Sequence, residues 1–375
     1  ALQNIAGEEG AATGSMATES TGSQLSNVSK RLSALLSRSS TLTLSAVNLF
    51  GSDALYAYSA EVDGDLSGAG AGEGDLTDNR WGVFINGDFG SGEKDGTDGE
   101  DGFEYDAAGF TVGADYRMNE QVVLGLAVGF NSSESDFDTT ANVSGGGLDT
   151  EATSFSTYGL FYTDNYYFDG ILTIGQTTID MERSIEIASN TDATDPNGNP
   201  NDGASRSAES ETDSDQIAFS FGGGTDIRSG SFTFAPYLRA QYLKVDVDAF
   251  EESGTEGLNL RFEEQEIESI TTALGFRAST VANTGFGVLV PQAHLEWIHE
   301  YSDDEREVTT VYIHDPRQNE LLFETDSPDR DYFTMGLGLS SVFRGGTQAF
   351  IDVRTLMGLT DFTETGVTAG VRFEL

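Results

Sequence analysis

Three histidines, His294, His299 and His314, are the only imidazoles in a chain of 375 residues that has no cysteine. Thiolate chemistry and disulfides are therefore excluded, and acid–base or nucleophilic work would fall to these histidines, to carboxylates or to hydroxyls. Absence of cysteine also fits a protein that crosses an oxidising periplasm without needing bridges. His294 shares strand parity with Gln292 and Glu296 and is expected to be a satisfied inward-facing polar residue. His299 has the opposite parity near a strand end, and His314 stands beside Asp315 in a large loop. No nucleophile-elbow sequence accompanies them, and serine is too frequent for a Ser/His/Asp set to be placed. An acid protease at a rim built on His314, Asp315, Asp303 and Asp304 is conceivable but set aside, and the chain is read as no enzyme.

Oxygen ligands at short spacing offer a second chemistry. The run Asp95-Gly96-Thr97-Asp98-Gly99-Glu100-Asp101-Gly102 alternates carboxylates with turn-forming glycines, as calcium loops do. Asp95, Asp98 and Asp101 are the candidate ligands for Ca2+ or Mg2+. The run lacks the terminal bidentate Glu of a twelve-residue loop, so a solvated loop is the plainer reading and no cofactor is expected. Acidity is general: 63 Asp and Glu against 19 Lys and Arg give a net charge of -44. Nucleic-acid binding is excluded, because it requires a basic footprint. The acidic residues gather in segments 92–106, 192–215, 246–268 and 300–331, where they make a solvated surface or bridge through divalent cations to anionic lipopolysaccharide.

The elements that must carry these residues are strands. From Trp81 to Leu375 about twelve alternating segments are joined by two kinds of connection. Short turns fall at 119–120, 164–165, 229–230, 282–285 and 345–346, each with the Gly, Asn or Asp that a tight hairpin needs. Long polar connections cover 90–106, 138–151, 182–212, 248–266 and 301–331, and only 358–361 is short. No run approaches the ~18 apolar residues of a transmembrane helix. A transmembrane strand, however, shows lipid only every second side chain, and barrels sort their connections into long loops outside and short turns in the periplasm. The predicted fold is all-β, a twelve-stranded antiparallel transmembrane β-barrel with its C-terminus periplasmic. Parity assigns Asp88, Arg239, His294, Glu296, Asp352, Arg354 and Arg372 to the lumen. Trp81, Phe89, Tyr162, Tyr166, Trp297 and Tyr301 are assigned to interfacial girdles.

Ahead of the strands the period changes. Residues 1–22 are small and polar and are expected to be a flexible lead-in. Over 23–60 we expect a helix and linker: Leu25, Val28, Leu32, Leu35 and Leu36 recur at three- and four-residue intervals, with Ser23 as N-cap and with Lys30, Arg31 and Arg38 adding positive charge. Continuation through Leu42, Ala46, Leu49 and Phe50 gives roughly 40 Å at 1.5 Å per residue. Residues 61–79 form a Gly/Asp-rich link and 80–375 the barrel. Twelve strands enclose room for about one helix of ~10 Å diameter, and the helical cations would offset the acidic lumen. Packing of that helix on an outer or periplasmic surface is the alternative.

The stretch Phe234-Ala235-Pro236-Tyr237-Leu238-Arg239-Ala240-Gln241-Tyr242, then Phe250-Glu251-Glu252, then Ser269-Ile270-Thr271-Thr272-Ala273-Leu274-Gly275-Phe276-Arg277 resembles the middle of the autotransporter β-domain family. Val290-Pro291-Gln292-Ala293-His294-Leu295-Glu296-Trp297 is similar to a later strand of the same barrel. The resemblance spans roughly 80–375. It implies a pore-threading helix, a type V secretion barrel in the Gram-negative outer membrane, export of an N-terminal passenger and insertion by the barrel-assembly machinery. Its C-terminal assembly signal would fall on Phe373 and Leu375, although the family usually ends on an aromatic. Some members cleave their own helix at an Asn, but Asn27 and Asn48 stand in no Asn-Asn pair. No secretory signal is visible at Ala1 and no passenger precedes the helix, so a mature or shortened chain is expected. Two other roles stay open: a passengerless barrel docking in an envelope assembly, and a small-solute pore whose conductance rises when residues 1–60 are removed.

Overall fold

The computed structural model describes residues 9–42, 80–97, 100–139, 145–163, 165–187, 204–302, 304–343 and 347–374. Among these residues one helix, α1 (Gly10–Leu42), precedes eighteen strands. The first half of the barrel is β1 (Trp81–Lys94), β2 (Phe103–Arg117), β3 (Val122–Phe137), β4 (Gly146–Tyr162), β5 (Tyr166–Ile187) and β6 (Ala204–Thr225), with β7 (Ile227–Ser229) continuing β6. Next comes β8 (Phe232–Val247), and its following loop carries β9 (Phe250–Glu251) and β10 (Leu260–Phe262). The wall resumes with β11 (Gln265–Thr280), β12 (Ala282–Thr284) and β13 (Gly287–Glu300); β14 (Glu307–Tyr312) and β15 (Glu320–Glu324) lie in the next loop. It ends with β16 (Asp331–Phe343), β17 (Gln348–Met357) and β18 (Phe362–Glu374).

Twelve of these, β1 to β6, β8, β11, β13 and β16 to β18, pair antiparallel in sequence, and β18 returns to β1 from Gly82↔Glu374 to Lys94↔Phe362. Closure leaves no free edge, which is the condition for a sheet in lipid, where an unpaired backbone group has no water to bond. One end of the barrel has the tight hairpins. There Asn119 Oδ1 accepts the amides of Gln121 and Val122 at 2.8 and 2.9 Å, fixing the β2–β3 turn. The other end has the long connections.

Side-chain alternation decides the two faces. On β3, Leu124, Leu126, Val128 and Phe130 are exposed while Val123 and Ala127 are buried. Trp81, Tyr166, Trp297 and Tyr301 also face outward near strand ends, as expected of girdle residues, and Phe89 faces outward too, although it lies within β1, which runs on to Lys94. Tyr162 does not: it shares parity with the buried Tyr158 and Leu160 and packs on the inner cluster. No helix is long and apolar enough to cross a membrane among the described residues, which says nothing of a barrel.

Several boundaries differ from the sequence reading; β1 runs on to Lys94, β2 starts at Phe103 and β4 at Gly146, all inside expected connections. The helix begins at Gly10, inside the expected lead-in, and Ser23 is mid-helix rather than its cap. The expected continuation to Phe50, with Asn48, lies outside the described residues. The described parts of the 182–212 connection, 182–187 and 204–212, are strand, with β5 and β6 paired out to Ile187↔Ala204. The 248–266 and 301–331 connections supply a second, four-stranded sheet in the order β15-β14-β10-β9, which forms a hood at the loop end.

Candidate functional site

The site is the barrel interior and the helix it holds. Leu25, Val28, Leu32 and Leu35 are buried, with Val28 fully enclosed. These four positions of the predicted stripe lie against the wall and are no outer-surface face. Alanines extend the same packing upward, because Ala11, Ala12 and Ala17 are buried too.

Polar side chains fix the helix in register with the strands. Ser23 Oγ donates to Asp88 Oδ2 at 2.5 Å and Asn27 Nδ2 to Asp88 Oδ1 at 2.6 Å. Asn27 Nδ2 also reaches Thr111 Oγ1 at 3.2 Å, and Thr111 donates to Gln24 Oε1 at 2.8 Å. Gln24 Nε2 then meets Ser156 Oγ at 3.1 Å. Its close approach needs glycine opposite, since a Cβ on Gly129 would stand 2.1 Å from Gln24 Oε1. Thr21 completes the row by donating to Gln216. A buried amide or hydroxyl left unpaired is costly, so a helix shifted by one residue would forfeit most of this row.

Charge is matched lower down. Arg31 Nε donates to Asp115 Oδ2 at 2.9 Å, its guanidinium lies 4.9 Å from the centre of the Phe84 ring, and Arg372 reaches the other Asp115 oxygen at 3.6 Å. Lys30 Nζ sits 3.3 Å from Asp352 Oδ1, with His294 Nδ1 at 3.8 Å from Oδ2. Arg239 binds Glu296, whose Oε1 also accepts the Tyr237 hydroxyl at 2.6 Å. Arg354 Nη2 meets Glu364 Oε1 at 2.8 Å. All seven lumen assignments, Asp88, Arg239, His294, Glu296, Asp352, Arg354 and Arg372, thus fall on the inner wall. Arg38 belongs to the helix, but its side chain lies outside the described residues. Asp115, Thr111, Gln24 and Gln216 were missed, although on β2 the parity that makes Thr111 and Asp115 inward was available.

At the loop end the hood closes over the helix. Phe250 and Phe262 stack at 4.5 Å between ring centres, and Leu260, Val308 and Val311 are buried with them. Gly10 lies directly beneath, where a Cβ would come within 2.2 Å of the Phe262 ring. Gln265 Nε2 donates to the Gly10 carbonyl at 3.2 Å. On one side the hood is pinned by a buried bidentate pair, Arg183 Nε and Nη2 to Glu252 Oε1 and Oε2 at 2.8 and 2.6 Å. Opposite, Asp326 Oδ2 accepts from Lys94 Nζ at 3.1 Å and Thr97 Oγ1 at 2.7 Å. Burial pushes the Glu9 carboxyl, just before the helix, up to about 7, although Arg183 opposes that shift.

The chemistry weighed on sequence is not assembled. Asp315 accepts the amides of Arg317 and Asn319 at 3.0 Å each, which holds its carboxyl below the usual carboxylate range and commits it to a turn. Asp303 lies outside the described residues. His299 meets Asp331 at 2.9 Å on the outer face, sharing one oxygen with Trp297 Nε1, and no hydroxyl joins it among the described residues. Among the described residues no group of three or more His, Asp or Glu is placed to hold a metal. Asp98 is outside them, and Glu100 of the same loop pairs with Lys94 at 2.8 Å. Phe373 is half exposed on the lipid face. Leu375 lies outside the described residues.

Comparison with known proteins gives one consistent result. Residues 83–354 match the family model described as the autotransporter beta-domain. The translocator domain of the autotransporter NalP from Neisseria meningitidis superposes with a TM-score of 0.60 at 15% identity, covering 86% of this chain and 94% of that one. The beta domain of the Bordetella autotransporter BrkA gives 0.53 at 14% identity, over 79% and 100%. Esterase EstA of Pseudomonas aeruginosa is 23% identical over 277 residues, 70% of this chain and 38% of its own. The chain spans about a third of the length of the first curated relatives it matches.

Proposed function

The chain belongs to the autotransporter β-domain family, an outer-membrane barrel of the Gram-negative type, and from that premise we propose that it is the translocator through which an N-terminal passenger reaches the cell surface. Its role in this reading is not enzymatic. The barrel supplies a passage lined by hydrogen-bonding groups, and α1 remains in it as a plug when export is complete.

The observation that carries the reading is the direction and fit of the helix. Its N-terminus lies under the hood at the loop end, as Gly10 and Phe262 show, while Arg31 meets Asp115 close to the hairpin end, where β1 begins. A segment joined ahead of Gly10 would therefore leave on the loop side. We place the loops outside the cell and the hairpins and C-terminus in the periplasm, in line with the usual asymmetry of such barrels. The barrel-assembly machinery would read the last strand, with Phe373 and Leu375 as its signal. Carboxylates on the outer face above the apolar band, such as Asp180, Glu182 and Glu211, would meet lipopolysaccharide through divalent cations.

A reporter domain fused ahead of residue 1, behind a secretory leader, tests this. Protease added to intact cells is expected to release the reporter, and deletion of residues 10–42 to abolish its display while the barrel still shows heat-modifiable migration. A reporter retained in the periplasm by the complete chain would overturn the proposal.

A further inference from the structure

Trp297, His299 and Tyr301 alternate along the outer face of β13 and just past its end. Their rings form a ladder, with 6.1 Å between the centres of Trp297 and His299 and 4.7 Å between His299 and Tyr301, which meet edge to face. Trp297 and Tyr301 are exposed. The neighbouring strands change character along this ladder. Leu274 on β11 and Phe333 on β16 flank Trp297, whereas Thr272 and Asp331 flank His299. Apolar gives way to polar between two successive outward rows, at the level where acyl chains meet headgroups.

The polar row is tied together. His299 Nδ1 and Trp297 Nε1 both meet Asp331 Oδ1 at 2.9 Å. A carboxylate only accepts, so Nδ1 carries its proton, and the imidazole Nε2 and the second carboxylate oxygen take no part in these contacts. On the other side of His299, the Thr272 and Tyr301 hydroxyls are 3.2 Å apart. The patch thus presents two hydroxyls, an imidazole nitrogen and a carboxylate oxygen beside two exposed aromatic rings. A pyranose is the complement of that set, because its hydroxyls both donate and accept and its C–H face packs on a ring. A phosphate is not, since it would meet the half-exposed Asp331 carboxylate.

We infer that this patch binds the sugar headgroup of an outer-leaflet glycolipid directly, with Trp297 and Tyr301 packing on a pyranose face and Asp331, held in place by His299, accepting from its hydroxyls. The contact needs no bridging cation, which separates it from the acidic surface around β5 and β6. It rests on the reading that the long loops face outward.

Trp81 is the only other tryptophan, so Trp81→Phe leaves Trp297 as the sole indole reporter. The complete chain with that substitution, in lauryldimethylamine oxide micelles containing EDTA, is titrated with lipid A, with lipid A stripped of its phosphates, and with phosphatidylglycerol. A saturable change in emission is expected with both forms of lipid A and none with phosphatidylglycerol. Asp331→Asn and His299→Leu, added separately, should each weaken the response about five-fold or more at unchanged heat-modifiable migration, as loss of a hydrogen bond to a charged group does. A response to phosphatidylglycerol equal to that of lipid A would reduce the patch to an ordinary girdle and overturn the inference. So would a response that disappears with the phosphates, or an affinity that neither variant lowers. Binding in micelles does not depend on which way the barrel is inserted, so its failure is separate from a reporter retained in the periplasm.

Discussion

The β5–β6 hairpin passes through two solvents, and its side chains change sides to suit. In its lower part Phe168, Leu172 and Ile174 on β5 and Ile217, Phe219 and Phe221 on β6 are exposed, while Thr173, Thr177, Gln216 and Ser220 are buried inside. In its upper part the outer face becomes Asp180, Glu182, Glu211 and Asp213, and the buried face becomes Ile179, Met181 and Ile185. The switch falls at one level on both strands, because Ile174 pairs with Ile217 and Gln176 with Asp215. Below that level the medium outside is hydrocarbon, and the helix inside offers polar partners. Above it the medium is water, and the hood supplies an apolar cover, so the ordinary rule of apolar side in returns. The hairpin therefore marks the membrane boundary in its own side-chain pattern.

This comparison can be broken from either half. Removing one member of the buried pair at the top, Arg183→Met, should destabilise the hood by about 3–5 kcal/mol, since Glu252 is left charged and enclosed. The double variant Arg183→Met/Glu252→Leu should recover most of that loss; rates of proteolytic nicking in residues 248–264 and 301–330 distinguish the two. In the lower half, Leu172→Arg on the lipid face should cost about 2–4 kcal/mol in reversible urea unfolding from vesicles. Asp180→Arg, on the same face above the boundary, should leave that midpoint unchanged. Equal losses at both positions would erase the boundary.

A more gradual effect is expected from pH. The Glu9 carboxyl sits at about 7 when folded against 4.5 for the free group, mainly through burial. The folded state therefore holds more protons across this interval, and helix-to-hood stability is greatest below pH 4.5 and falls as pH rises through 7. The whole displacement, from 4.5 to about 7, is worth roughly 3 kcal/mol at ~1.4 kcal/mol per pH unit, spread over that interval. Glu9→Gln should flatten the profile, read as protease cleavage near Gly10 against pH. Smallest of all is Lys244→Ala. Its ammonium bridges Asp246 and Glu266 at 2.9 and 2.8 Å on the open surface, and no measurable shift in the unfolding midpoint is expected.

Strand count, closure and the inner row were legible because lipid enforces a strict period of two, which fixed Asp352, Arg354 and Arg372 without any contact being known. Above the membrane that signal inverted. Glu209, Glu211, Asp213 and Asp215 still alternate with small residues, but carboxylates at period two look like solvated loop unless a partner strand is in view. The first turns of the helix were hidden for another reason. Gly10, Thr13, Gly14 and Thr18 are poor helix formers, and what holds them is the wall and hood rather than propensity. Beneath the hood, Arg183 and Glu252 lie 69 positions apart, and no local pattern joins them. Which wall the helix prefers was equally illegible, since a helix diameter and a strand number give only an average fit.

The β1–β18 pairing has a topological consequence. Thirteen residue pairs, from Gly82↔Glu374 to Lys94↔Phe362, turn the sheet into a ring, and the helix runs through that ring as an axle joined to it at one end. Anything bulky carried ahead of Gly10 acts as a stopper on the far side. Tension applied to it would be borne by the seam as a whole, and the chain could not be drawn back without unzipping the ring.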